Sequence, residues 1–138
     1  MNHLLDTNVT SEVCKRNPDP HVSAWLDTVP GPTLYISVMV LGELRQGVER
    51  LRGRDAARAA VYESWLDQMS KEFGDRIAPI TGEVVQEWGR MNVPESLPVV
   101  DGLIAATARV NDWILVTRNT KDYTRTGVRL LNPFIPAG

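Results

Sequence analysis

Trp113-Ile114-Leu115-Val116-Thr117 reads as a β-strand with apolar side chains on both of its faces. Successive strand residues point to opposite faces of a sheet, so a run with no polar residue at its centre needs cover on each side. That favours a parallel sheet wrapped by helices. Further short β-rich stretches lie outward from this run at His3 to Leu5, Thr33 to Ser37, Arg76 to Ile80 and Val128 to Leu131. The intervening segments have helical spacing. A short helix is expected over Val9 to Lys15. Asp19-Pro20 opens a second, with Val22, Trp25, Leu26 and Val29 as its apolar face, and Pro30-Gly31-Pro32 breaks it. Leu41, Leu44, Val48 and Leu51 mark a third helix ending near Gly53. Asp55 to Phe73 predicts a fourth, with Val61, Trp65, Leu66 and Met69 turned inward and Gly74 closing it. Thr81 to Met91 and Pro98 to about Val110 complete the set. Strands separated by helices imply parallel pairing through right-handed crossovers, hence an α/β sandwich.

The chain has 138 residues, 43% of them hydrophobic, enough for one packed domain and little more. Its formal net charge is −2, so a polyanion must be met by a local basic patch rather than by the whole molecule's field. Cys14 is the one cysteine, which excludes an internal disulfide framework and fits an intracellular protein. The chain starts with no signal-peptide pattern. No apolar run approaches the roughly 20 residues needed to cross a bilayer, so a cytoplasmic location is expected. Trp25, Trp65 and Trp88 share helix faces with apolar neighbours and are expected in the core.

In open α/β sheets, ligands bind beyond the carboxyl ends of the strands. Asp6 directly follows the first strand, and Asp122 lies just past the strand that ends at Thr117. Each has a plain alternative: Asp6-Thr7-Asn8 suits a helix cap, and Asn119 to Asp122 suits a polar turn. Asp101 is more telling. On a helix it shares a face with Ile104, Ala105 and Ala108, an apolar stripe where a lone carboxylate is costly without a partner. Glu43 sits at the edge of its own helix's stripe, one turn before the small Gly47. Two carboxylates about 4 Å apart repel by about 4 kcal/mol at an effective dielectric of about 20, so a convergent set protonates or recruits a cation. Hard divalent ions take oxygen ligands. With His3, His21 and Cys14 as the only imidazoles and thiol, zinc is disfavoured.

At this point the chain resembles a known family over nearly its whole length. The matching residues are Leu4 to Val9, Ile36-Ser37 with Leu41 to Leu44, Asp101 to Ala108, Val116 to Tyr123, and Leu131 to Phe134. In order and spacing these look like a PIN domain, in the branch that holds VapC-type and FitB-like toxins. The resemblance implies one domain over residues 1–138: a three-layer α/β/α sandwich around a parallel sheet of five strands. It also implies an acidic pocket built from Asp6, Glu43, Asp101 and Asp122. Asn8, Thr117 and Asn119 match polar positions beside it and are expected to support it. Tyr123 stands where Phe is frequent and reads as a packing residue.

The implied activity is hydrolysis of RNA by an endoribonuclease using Mg²⁺ or Mn²⁺. Asp6, Asp101 and Asp122 would hold one ion, directly or through water, and Glu43 a second ion or the water. The products would carry 5′-phosphates. The implied partners are a cognate VapB-type antitoxin and a second copy of the chain, as a homodimer. Arg118 is the residue expected to contact RNA, because it adjoins the site. Lys121 and Arg125 lie near it. Arg45, Arg50, Arg52, Arg54 and Arg58 crowd the hairpin after the second strand. They suit RNA or antitoxin contact, or a solvated face paired to Glu49 and Asp55. One competing reading is a non-cleaving PIN-fold module that docks RNA or protein. Another is a phosphatase with Asp after its first strand, but Asn8 stands where such enzymes usually carry a second Asp.

Overall fold

The computed structural model describes residues 1–136. Five strands, β1 (His3–Leu5), β2 (Leu34–Ser37), β3 (Ile77–Ala78), β4 (Ile114–Val116) and β5 (Leu130–Leu131), form one sheet in the order β3-β2-β1-β4-β5. Every pairing is parallel, with Leu4 beside both Tyr35 and Leu115. Six α-helices connect them: α1 (Thr7–Val13), α2 (Pro20–Leu26), α3 (Val38–Arg52), α4 (Ala56–Phe73), α5 (Gly82–Met91) and α6 (Val99–Asn111). The chain moves from β1 to β2 to β3 in one direction, then returns across the sheet to β4. Right-handed crossovers therefore put α1 to α4 on one face and α5 and α6 on the other, giving the three-layer sandwich. His3 meets Trp25 of α2 edge-on at 5.5 Å between centroids. On the opposite face Tyr35 packs against Trp113 at 4.4 Å. Beside them, Val84 of α5 and Val110 of α6 line a hollow of about 220 Å³.

The central strands are apolar because both faces are covered. Leu4, Leu5, Ile36, Leu115 and Val116 are wholly buried. The direction of travel reverses between β1 and β4, so the crevice at their carboxyl ends is the fold's switch point.

Several expectations are corrected. Val61 is 68% exposed, not inward. The inward stripe of α4 is Ala59, Leu66 and Met69, and Val61 sits far round the helix from it at 100° per residue. The first helix starts at Thr7 because Asp6 caps it, accepting a hydrogen bond from the Val9 backbone N–H at 2.9 Å. Asp55 pairs with no arginine among the described residues; it caps α4 instead. Asn119 to Asp122, which suits a polar turn, leads into a run of 3₁₀-helix over Thr120–Thr126. Trp25 and Trp65 are half-buried against the core, and Trp88 lies against α6 at Gly102. Among the described residues no helix is long and apolar enough to cross a membrane.

Candidate metal centre at the carboxyl edge

The sheet topology determines which side chains meet. Asp6 extends the sheet past β1, its N–H donating to the Val116 carbonyl at 3.1 Å. Glu43 is in the second turn of α3, which leaves the neighbouring strand β2. Asp122 lies in the 3₁₀ segment after β4, on the other side of β1, its N–H bonded to the Asn119 carbonyl at 3.0 Å. Asp101 enters from the far layer, in the first turn of α6. That turn is a favoured place for a carboxylate.

The four acids interact. Burial pushes the Asp6 carboxyl above the usual range, and the charge of Glu43 adds to the rise. The Thr117 side chain and the N–H groups of Val9 and Asn8 oppose it by favouring the charged form. Asp101 is also raised, first by burial and then by Glu43, Asp6 and Asp122 together. Desolvation and like charge both disfavour ionised carboxylates, and a cation relieves both.

Each residue named from the sequence can now be placed. Thr117 is fully buried, acts on Asp6 and accepts from the Asn119 N–H at 3.1 Å. Asn8 and Asn119 act here through backbone groups, and both side chains lie at the surface. Arg118 is exposed, its guanidinium stacked 3.7 Å from the Phe134 ring centroid. Arg125 pairs with Glu95 at 3.0 Å. Two residues were missed. The Thr7 hydroxyl donates to the Glu43 carboxylate, tying α1 to α3 across the pocket. The Tyr123 hydroxyl acts on Asp101, favouring its charged carboxylate. A buried tyrosine normally finds a partner for its hydroxyl, which is the signal that could have found it.

The donors are carboxylate oxygens, which suit Mg²⁺ or Mn²⁺. Among the described residues, no three acid, histidine or cysteine side chains close directly around one point.

A parallel five-stranded sheet with acids at its switch point defines an α/β domain with a candidate metal crevice, and the chain matches the PIN domain over residues 3–128. It belongs to the PIN-domain family. It is 29% identical to VapC ribonuclease Y4jK of Sinorhizobium fredii, covering 97% of this chain and 99% of that one. Toxin FitB of Neisseria gonorrhoeae is 30% identical, with 95% and 97% covered. Among solved structures, FitAcB from Neisseria gonorrhoeae superposes with a TM-score of 0.86 at 31% identity, over 96% of this chain and 98% of that one.

Proposed function

We propose that this protein is a Mg²⁺- or Mn²⁺-dependent endoribonuclease acting as the toxin of a type II toxin–antitoxin pair. The observation that carries the reading is the electrostatic coupling of Asp6, Glu43, Asp101 and Asp122 at the switch point, in a chain of the PIN family. Relatives named as a VapC ribonuclease and as toxin FitB support the activity and the role.

Asp6, Asp101 and Asp122 would hold the ion, directly or through water, and Glu43 would position a second ion or the attacking water. When bound, the ion lowers the pKa of water and neutralises charge on the phosphodiester. Thr7 fixes the Glu43 carboxylate, and Thr117 with the Val9 N–H fixes that of Asp6. Asn8 and Asn119 support this frame through their backbone N–H groups. Arg118, exposed and held over the Phe134 ring, would contact a phosphate of the RNA. The protein works in the cytoplasm as a homodimer silenced by a VapB-type antitoxin. Relatives solved as FitAB complexes, one of them bound to a DNA fragment, support that partner.

The test is cleavage of RNA by purified Asp6→Asn protein, with and without EDTA. Loss of cleavage in both the variant and the chelated wild type is expected. Undiminished cleavage by the variant overturns the assignment.

A further inference from the structure

The structure divides the arginines of the α3–α4 hairpin into two groups. Arg45 pairs with Glu49, Glu63 and Asp67, and Arg52 with Glu49 and Glu63. Those two hold the hairpin together. Arg50 is exposed and, like Arg54 and Arg58, pairs with no carboxylate among the described residues. Its place on α3 gives it another use. Glu43, Gly47 and Arg50 stand four and seven residues apart, on one face of the helix. That face carries Glu43 at the acidic pocket and continues along α3 away from the carboxyl edge of the sheet. At Gly47 an added Cβ would meet nothing within 4 Å among the described residues, so no side chain covers the helix at that point. Two turns of helix put Arg50 about 10 Å beyond Glu43. A stacked strand advances about 3.4 Å per nucleotide, so this is the span of about three nucleotides.

We infer that Arg50 is a phosphate-binding subsite for the RNA strand, about three nucleotides from the scissile bond, reached over the saddle at Gly47. The inference rests on the ribonuclease reading above. It commits to RNA because Arg50 lies on the helix face that bears Glu43 with its charge unpaired, while Arg45 and Arg52 beside it are neutralised by carboxylates of their own hairpin. The track binds backbone, so it adds affinity without sequence preference.

The experiment measures cleavage of single-stranded RNA of mixed sequence by wild type, Arg50→Ala, Arg50→Lys and Arg52→Ala, each checked for unchanged melting. Arg50→Ala is expected to raise KM roughly two- to fivefold with kcat unchanged, the size of an exposed ion pair. The log–log salt dependence should flatten by about 0.7, one phosphate on a single strand. Arg50→Lys should restore most of the salt slope, and Arg52→Ala should behave as wild type. Substrates trimmed to fewer than about three nucleotides on the Arg50 side should lose the difference between wild type and Arg50→Ala. If wild type cuts no RNA with Mg²⁺ or Mn²⁺, the ribonuclease reading itself fails. If wild type cuts and Arg50→Ala keeps its KM and salt slope, that reading stands and the subsite is overturned. Weakened antitoxin inhibition with unchanged KM also overturns it, in favour of a protein contact.

Discussion

The hydroxyl of Tyr123 bears on the carboxylate of Asp101, although the two come from different layers of the fold. Tyr123 is 3% exposed and follows Asp122 in the 3₁₀ segment after β4, while Asp101 opens α6. The hydroxyl favours the charged carboxylate, partly offsetting the rise caused by burial and the neighbouring acids. Tyr123→Phe removes that support and keeps the ring. Asp101 then protonates at higher pH, so the acid limb of the pH–rate profile should move upward. Cleavage should fall on the acid side and match wild type once every carboxylate is ionised. Stability should change by about 1 kcal/mol or less, the worth of one ordinary hydrogen bond. An unmoved acid limb would leave Tyr123 as packing alone.

Asp6 has two roles that substitution can separate. Its Oδ1 accepts the Val9 N–H and caps α1, and its charge faces the other acids. Asparagine caps as well as aspartate does, whereas alanine cannot, at a cost of about 1 kcal/mol. Asp6→Asn should therefore lose cleavage while melting at or above the wild-type temperature without metal. Asp6→Ala should lose both cleavage and stability. Equal melting of the two variants would show that the cap contributes nothing.

The first turn of α6 depends on a close approach by α5. A Cβ on Gly102 would lie 3.0 Å from both Cδ1 and Nε1 of Trp88. Trp88 Nε1 is buried with no hydrogen-bond partner among the described residues, so its ring is held there by packing. Gly102→Ala should destabilise by about 1–3 kcal/mol, as overpacking does. It should also lower cleavage, because Asp101 precedes the displaced residue. Adding Trp88→Leu should recover part of both losses, and thermal melts of the two singles and the double measure that coupling. Purely additive losses would show that the contact is not the cause.

These relationships explain what could and could not be read beforehand. His3 to Leu5 and Ile114 to Val116 were legible as strands because burial on both faces leaves an unbroken apolar signature. The inward place of Leu66 and Met69 was legible from helical spacing, but Val61 misled because hydrophobicity alone does not tell which valine lies on the stripe. The helical nature of Thr120–Thr126 was hidden by residues that suit a turn equally well. Asp101 could be suspected from its apolar face. Its meeting with Asp6, Glu43 and Asp122 could not be deduced from spacing, since it follows from β1 lying between β2 and β4 and from α6 crossing over them. The parts that Thr7 and Tyr123 play at the site are not legible in the sequence, because a cap neighbour and a core aromatic already have sufficient structural explanations.

Without metal, the acidic pocket should cost the protein stability as pH rises. Asp6 and Asp101 both hold protons more tightly in the folded chain than their ordinary value of 3.8. Below that value they are protonated folded or unfolded, and nothing is lost. As pH climbs past it, the unfolded chain releases these protons first, so the folded state binds more and loses stability. The loss continues until the raised values are passed, then stays constant. Other acids titrate too, notably Glu12, which Lys15 holds below its usual range. The useful quantity is therefore the difference between wild type and Asp101→Asn. In EDTA, the asparagine variant should gain on wild type as pH rises through that window. Mg²⁺ should reverse the order at neutral pH by binding the ionised wild-type site, a stabilisation of about 2.7 kcal/mol at a hundredfold excess over Kd. Below the window Mg²⁺ should do little, because its ligands are protonated. Thermal melts of both proteins across pH, with Mg²⁺ and with EDTA, measure all of this, and coincident melts in the two conditions at neutral pH would mean that the four acids hold no ion.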